Sequence, residues 1–480
     1  MAGGELTLLS AMKKYIAMEK HSFHTPGHKA GRAFDRQFRN VIKNDLFSFD
    51  ITATPFVDSI HDPSGPLLET ARRISELYDV KKSFLLVNGS TTGNLAAFIS
   101  LFRDGDSVLI SRNSHKSVIG ACILSGVYPV WMNPRVLKNG ITCEVNSEQV
   151  DRYLSSFPEV KGVFVTSPTY HGIITDLEDI AKVCRKHKKI LIVDEAWGPH
   201  LFFSEDKTLS AVNYADCVIH SFHKILPVFS QGSVMHICSH NINIEAVEKA
   251  VSILTTTSPF YPMLMTLDYC SMMMKRKGPK LVEKMLALGN LAISDIRKMS
   301  LGYAMDSSDL PEGYRMDTSK VTIDFRDRGL TGFFLQKHLM KSGIGIDCAN
   351  PLNVIATLGL GNTKADISAL LTALKNLPQK RPIKFTGFRF PETPAEIVLT
   401  PREVYTRYQK KKMPLTESEG QICAETIAPY PPGIPVLLPG ERITAEVIEY
   451  LEMIDRFKWS VFRSGKKTKN KLESISVIEV

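Results

Sequence analysis

The sequence predicts an α/β fold: a large part built on a mostly parallel sheet, a smaller α+β unit after it, and a small C-terminal unit. Three observations carry this. Short apolar runs without polar alternation recur at 83–87, 107–111, 128–132, 162–166, 190–193, 218–220 and 233–237, the pattern of strands covered on both faces. Helix-length segments separate most of them. The runs end in polar or glycine-containing stretches, and ligands of such sheets bind at the carboxyl ends of strands.

Taken in order, the first helix is expected over 6–19, apolar at Leu8, Leu9, Met12 and Tyr15-Ile16. His21-Ser22-Phe23-His24-Thr25-Pro26-Gly27-His28-Lys29 follows, and its Pro-Gly pair marks a turn. The three histidines lack helical i, i+4 spacing and neighbouring cysteines, so the loop is read as lining a polar pocket, with no metal. A second polar loop spans 58–66, and a helix is expected over 67–78. After the strand at 83–87, Asn88-Gly89-Ser90-Thr91-Thr92-Gly93-Asn94 precedes an apolar helix at 95–102. Free N–H groups at a helix start, with hydroxyls beside them, suit a phosphate. The stretch is neither a Walker loop nor a GxGxxG fingerprint, and on its own it reads equally as an N-cap cluster.

The strand at 107–111 ends in Arg112-Asn113-Ser114-His115-Lys116-Ser117, and the strand at 190–193 ends in Asp194-Glu195-Ala196. The strand at 218–220 ends in Ser221-Phe222-His223-Lys224. Helices are expected to about Ser125, over 148–155 and over 177–187. The region 241–298 reads as helical with a break at 255–259. Strands at 321–325 and 354–358, with helices at 335–342 and 366–377, make the smaller unit. The expected division is an N-terminal helical segment 1–25, a cofactor-binding major domain 26–260, a small α+β domain 261–378, a linker 379–394 and a C-terminal domain 395–480. The lysine-rich stretch after Ser464 is expected to be a solvated tail.

A chain of 480 residues with 44% hydrophobic and 23% charged content has material for two or three domains. Its net charge is +9, but the basic residues are scattered, so no nucleic-acid partner is expected. The eight cysteines form no CxxC pair and no zinc-like spacing, which fits buried thiols in a reducing, cytoplasmic setting. Residues 1–20 include Glu5 and no long apolar run, so they do not read as a signal peptide. No stretch approaches the ~20 apolar residues of a membrane span, so no membrane partner is expected.

Lys224 and Asp194 carry the chemistry. A lysine after a strand can bond a carbonyl carbon through its amine. A carboxylate at another strand end can hold a cationic ring nitrogen. With a phosphate cup at Gly89 to Thr92, the set suits pyridoxal 5′-phosphate, which serves as an electron sink when an amino acid loses CO2. His115 is placed to stack on the ring. Ser221 and His223 are placed to bind the phosphate from the other side, and His223 also to act as an acid. Singly, such a lysine is ordinarily solvated, such an aspartate an N-cap and such a histidine structural. Their succession on strand ends outweighs this.

Together with Pro26-Gly27-His28-Lys29 and Tyr430-Pro431-Pro432-Gly433-Ile434-Pro435, these stretches resemble the bacterial ornithine/lysine/arginine decarboxylases. The resemblance spans nearly the whole chain and reads as the family's short form, without a wing domain ahead of the Pro-Gly-His-Lys loop. It implies the aspartate aminotransferase fold (fold type I). It also implies decarboxylation of a basic amino acid to a diamine or polyamine, and a homodimer or higher homo-oligomer with the loops 26–29 and 58–65 serving its interface. By that resemblance Lys224 carries the cofactor, Asp194 pairs with the pyridine nitrogen and His115 stacks over the ring. Ala196 packs on the opposite face, and Ser90, Thr91, Ser221 and His223 bind phosphate, with Thr92 in the same cup. Trp197 and Pro199 depart from the family's commonest pattern.

Two alternatives use the same residues. An aminotransferase would need an arginine to clamp the substrate carboxylate, and 353–358 holds none. A non-catalytic relative would be expected to have lost the lysine, which is present.

Overall fold

The computed structural model describes residues 8–54, 56–137, 139–383, 390–391, 394–430, 433–463, 466–468 and 472–479. The start of the first expected helix, most of the later part of the linker, Pro431-Pro432 and much of the lysine-rich stretch lie outside the described residues.

The central sheet has seven strands: β1 (Lys82–Leu86), β2 (Ser107–Ser111), β3 (Tyr128–Met132), β4 (Gly162–Thr166), β5 (Ile190–Asp194), β6 (Cys217–His220) and β7 (Ser233–Ile237). Their order is β1-β7-β6-β5-β4-β2-β3. The pairs β3/β2, β2/β4, β4/β5 and β5/β6 are parallel. Only β7 is reversed, pairing antiparallel with β6 and with β1. The stretch 221–232 holds one helical turn, Phe222–Ile225, and a loop. That is too little for a crossover helix, so the chain turns back on itself.

Successive strand residues enter opposite cores. Val163, Val165, Leu191, Val193 and Val218 join the helices Pro66–Leu77, Leu177–Lys186 and the start of Tyr261–Arg297. Phe164, Ile192, Cys217 and Ile219 join Gly89–Leu101, Ser117–Ser125 and Ile244–Ile253. Each fully buried side chain of this size stabilises the fold by about 1.5–3 kcal/mol. Burial on both faces explains the unbroken apolar runs.

A smaller four-stranded antiparallel sheet, ordered Tyr303–Ala304, Lys320–Asp324, Val354–Thr357 and Cys348–Ala349, packs with the Gly332–Lys341 and Lys364–Lys375 helices into a second core. The N-terminal segment joins this unit, because His21–Phe23 pairs parallel with Ile344–Ile346. A third core surrounds the Ala445–Arg456 helix.

Three expectations change. The helix expected from residue 95 begins at Gly89, so Ser90, Thr91 and Thr92 form its first turn rather than a loop before it. The pair Ile173–Thr175 with Tyr314–Met316 was not expected, being three residues long with a distant partner. The stretch after Ser464 does not end as a solvated tail. Ser474–Ile478 pairs antiparallel with Lys410–Pro414, and Ile475 and Val477 are fully buried. Their alternation with Ser474 and Ser476 is a strand signal that the preceding lysines obscured.

Candidate active site

The carboxyl ends of β2, β4, β5 and β6 open on a cavity of about 960 Å3. Asp194, the last residue of β5, is 3% exposed. Its Oδ1 accepts from the Ala196 backbone N–H at 3.0 Å and its Oδ2 from Asn94 Nδ2 at 2.9 Å. The second amide hydrogen of Asn94 goes to Ser117 Oγ, 2.9 Å away. That hydroxyl is then free to donate to His115 Nδ1 at 2.8 Å, where the Ser117 backbone N–H also donates at 3.2 Å. With Nδ1 accepting twice, the His115 proton resides on Nε2. Burial, with the Lys224 charge behind it, holds the His115 pKa down to about 4, while Asp194 pulls the other way. One side chain, Asn94, thus sets both the carboxylate and the histidine.

Lys224 and His223 lie on the short turn after β6. His223 Nδ1 faces the Gly232 carbonyl at 3.0 Å and therefore carries the proton, leaving Nε2 as an acceptor. Burial and then Lys224 lower its pKa to about 4, so the ring is neutral at neutral pH. Burial also lowers the pKa of Lys224, against Asp194 and Asp347, which raise it. Its Nζ lies 4.1 Å from the centre of the Trp197 ring.

Lys224, His223, Asp194, His115 and Ala196 all line the cavity. Ser90, Thr91, Thr92 and Ser221 are not part of its lining. Ser90 Oγ and Ser221 Oγ instead meet each other at 2.6 Å, which ties the helix start to the Lys224 turn. Gly89 has φ +70 with open space where a Cβ would stand, and Asn88 provides no side-chain cap. The Gly89 N–H donates to the Gln231 carbonyl at 2.9 Å, and the N–H groups that follow it in the first turn suit an anionic ligand.

The three N-terminal histidines diverge. His21 pairs with Asp366 at 2.7 Å, His24 lines the cavity and bonds Glu19 at 2.5 Å, and His28 Nδ1 accepts from the Gly31 N–H at 3.0 Å. Among the described residues no cluster of three metal-ligating side chains occurs. No helix of these residues is long and apolar enough to cross a membrane.

Sequence reasoning missed Asn94, Ser117, Asp347 and Lys320. Lys320 is fully buried and its Nζ lies 3.1 Å from the centre of the Trp197 ring, the same ring that Lys224 faces. No local pattern marks Lys320, because its partners Thr357 and Asp347 come from other elements. Asn94 had a signal: it closes the polar stretch after β1, one helical turn beyond Ser90.

Residues 7–310 match the Orn/Lys/Arg decarboxylase major domain, and residues 388–461 match the C-terminal domain of the same proteins. The chain belongs to the Orn/Lys/Arg decarboxylase family. Within the family it is similar to a protein named arginine decarboxylase from Bacillus subtilis, 30% identical over 94% of each chain. It is also similar to the inducible lysine decarboxylase of Escherichia coli, 26% identical over 93% of this chain and 77% of that one. The fold matches the lysine decarboxylase LdcF of Francisella novicida with a TM-score of 0.78 at 22% identity, over 95% of this chain and 78% of that one. It matches serine palmitoyltransferase of Sphingomonas wittichii with a TM-score of 0.57 at 16% identity, over 74% of this chain and 85% of that one.

This is fold type I, and the family is one of PLP-dependent amino-acid decarboxylases. The residues present fit that cofactor: an amine of lowered pKa, a buried hydrogen-bonded carboxylate and a neutral imidazole face one cavity, and an uncapped helix start is tied to the lysine turn.

Proposed function

We propose that this chain releases CO2 from a basic amino acid (arginine, lysine or ornithine), with the cofactor held at Lys224, and yields the corresponding amine for polyamine formation. The observation that carries this reading is the convergence of Lys224, Asp194 and His115 on one cavity. Arginine is the first substrate to test, since several Bacillus relatives at 29–30% identity are named arginine decarboxylase, whereas those named lysine decarboxylase share 24–26%.

Bound PLP supplies a sink for the electron pair left when the carboxylate departs. Asp194, fixed by Asn94 and the Ala196 N–H, would hold the ring nitrogen. His115 and Ala196 would pack against the ring, and the first turn of the Gly89–Leu101 helix, with Ser90, Thr91, Thr92 and Ser221, would take the phosphate. Lys224 Nζ, which would hold the cofactor, would also be the group placed to give a proton to the substrate carbon. His223, with its Nδ1 proton turned to the Gly232 carbonyl and Nε2 bare, is the poorer proton donor. Decarboxylation is favoured over amino transfer because Val354–Thr357 offers no arginine, and Lys320 beside it is already committed to Thr357 and Asp347.

The protein is proposed to work in the cytoplasm as a homodimer or larger homo-oligomer. Phe47 and Phe56, 94% and 88% exposed, support a second copy covering the N-terminal region. The test of function is release of labelled CO2 from arginine, lysine and ornithine side by side, by wild type and by Lys224→Ala. One substrate should be preferred, and the variant should be inactive but folded. Substantial turnover by the variant sinks the reading.

A further inference from the structure

Glu195 and His220 stand one residue beyond the last backbone pair of β5 and β6, Asp194 with Ile219. Both are fully buried, and the Tyr78 ring packs 5.1 Å from the His220 ring centre. Glu195 Oε2 meets His220 Nε2 at 2.7 Å. Its Oε1 accepts from the Ala211 backbone N–H at 2.9 Å, and Ser210 Oγ donates to Oε2 at 3.1 Å. His220 Nδ1 meets His236 Nε2 at 3.0 Å, and His236 Nδ1 meets Ser83 Oγ at 2.9 Å. One hydrogen-bonded chain thus runs from the end of β5 across β6 and β7 to β1. Burial holds the Glu195 carboxyl well above the usual carboxylate range and both imidazoles below theirs, to about 3 for His220. Glu195 is therefore an uncharged acid that donates, and the hydrogens run one way, from Glu195 to His220 to His236 to Ser83. The nearby His200 and Asp317 pair with each other at 3.1 Å.

We infer that Glu195 and His220 are positioning residues for the cofactor: their hydrogen bond ties β5 to β6 where the backbone pairing ends, and so sets the spacing between Asp194 and the turn that carries Ser221 and Lys224. The inference rests on the reading of Asp194 and Lys224 as cofactor residues. Glu195 follows Asp194 directly and precedes Ala196 and Trp197, which line the cavity. The Gly198 N–H closes this turn on the Glu195 carbonyl at 2.8 Å, and a Cβ on Gly198 would stand 2.6 Å from Glu195 Cγ. His220 directly precedes Ser221, whose Oγ meets Ser90 Oγ on the helix start. The bond therefore acts from behind on both ends of the cofactor site at once. On one side it holds the carboxylate for the ring nitrogen, and on the other the hydroxyls for the phosphate. A donor in a dry interior is strongly directional. An uncharged one also leaves Asp194 as the carboxylate that faces the ring.

The test is PLP binding by the full-length apoprotein, read as the dissociation constant and as visible circular dichroism at saturating PLP. It compares wild type with Glu195→Gln, Glu195→Met, His220→Leu and the double variant Glu195→Met/His220→Leu. Glu195→Gln keeps an acceptor for the Ala211 N–H and an uncharged donor for His220, and should match wild type in both readouts. Glu195→Met and His220→Leu each remove the bond and should raise the dissociation constant about tenfold. Both should also weaken the visible circular dichroism even when every site is filled, because the ring is held less firmly. The double variant should lose no more affinity than the worse single one, since all three break the same bond. Wild-type readouts in either single variant overturn the inference, as do additive losses in the double variant or a Glu195→Gln as weak as Glu195→Met. Failure of these variants to fold also overturns it, since the bond would then hold the fold and not the spacing. Failure of wild type to bind PLP counts instead against the proposed function.

Discussion

The backbone N–H of Gly27 donates to the carbonyl of His223 at 2.7 Å, so the Pro-Gly-His-Lys loop rests directly on the turn that carries Lys224. The approach is close enough to exclude any side chain: a Cβ on Gly27 would stand 2.3 Å from the backbone carbonyl carbon of Ile225. Lys29, fully buried, fastens the same loop by donating to the carbonyls of His24 at 2.5 Å and Thr357 at 2.9 Å. The loop thereby links the lysine turn to the smaller sheet. Gly27→Ala should cost at least about 1–3 kcal/mol through overpacking against backbone. Urea denaturation should show this loss together with weakened PLP retention.

Asn94 offers a separate handle. Asn94→Ala removes one buried donor from Asp194 Oδ2 and one from Ser117 Oγ, a penalty of about 1–3 kcal/mol. Its expected signature is faster loss of PLP absorbance on dialysis and a lower kcat, because His115 loses its fixed orientation with Ser117. A variant that retains PLP as wild type does would contradict the linkage.

The C-terminal wall of the cavity depends on Arg112. Its guanidinium binds Glu441 through both carboxylate oxygens, at 2.7 and 2.5 Å, and donates to the carbonyls of Pro435 and Val436 at 3.0 and 2.9 Å. Both side chains are almost fully buried. Gly433 and Ile434, just before these carbonyls, line the cavity. Removing one partner of a buried pair costs about 3–5 kcal/mol. Glu441→Ala should therefore lower stability by that order and raise KM more than it lowers kcat, measured by denaturation and steady-state kinetics.

Acid should destabilise the fold. Burial holds His28, His115, His171 and His223 down to about 4, below the unfolded value of about 6.5. Between those values the unfolded chain binds more protons, so this stabilisation is complete above about pH 6.5 and is lost as pH falls towards 4. Glu144, raised by burial to about 7, works in the opposite direction over part of the range. Six histidines, these four with His220 and His236, against the three raised carboxyls Glu144, Glu195 and Asp324 leave a net loss on acidification. Urea denaturation at pH 7, 6 and 5 should give falling stability, and a flat or rising trend would contradict these assignments.

Much of this was legible in the chain. The two-sided burial of Phe164 against Val163 and Val165 leaves an apolar run that needs no structure to be read. Asp194, His115 and Lys224 stand at strand ends for the same topological reason. Reversed β7 was not legible, because an apolar run carries no direction. Lys320 and Asp347 were invisible because their roles depend on contacts across the sequence, and a buried lysine looks like any other before its partners are known. Ser90 was readable as polar, but its partnership with Ser221 rather than the cavity wall is a matter of geometry.

Lys224, among several buried lysines of lowered pKa, is the one proposed to hold the cofactor. Lys29, at about 7, and Lys320, at about 8, are the rivals. Reducing the PLP-loaded protein with borohydride and mapping the modified peptide by mass spectrometry tests the claim directly. The label should fall on Lys224 alone. Label on Lys29 or Lys320, or on no lysine, would contradict the account.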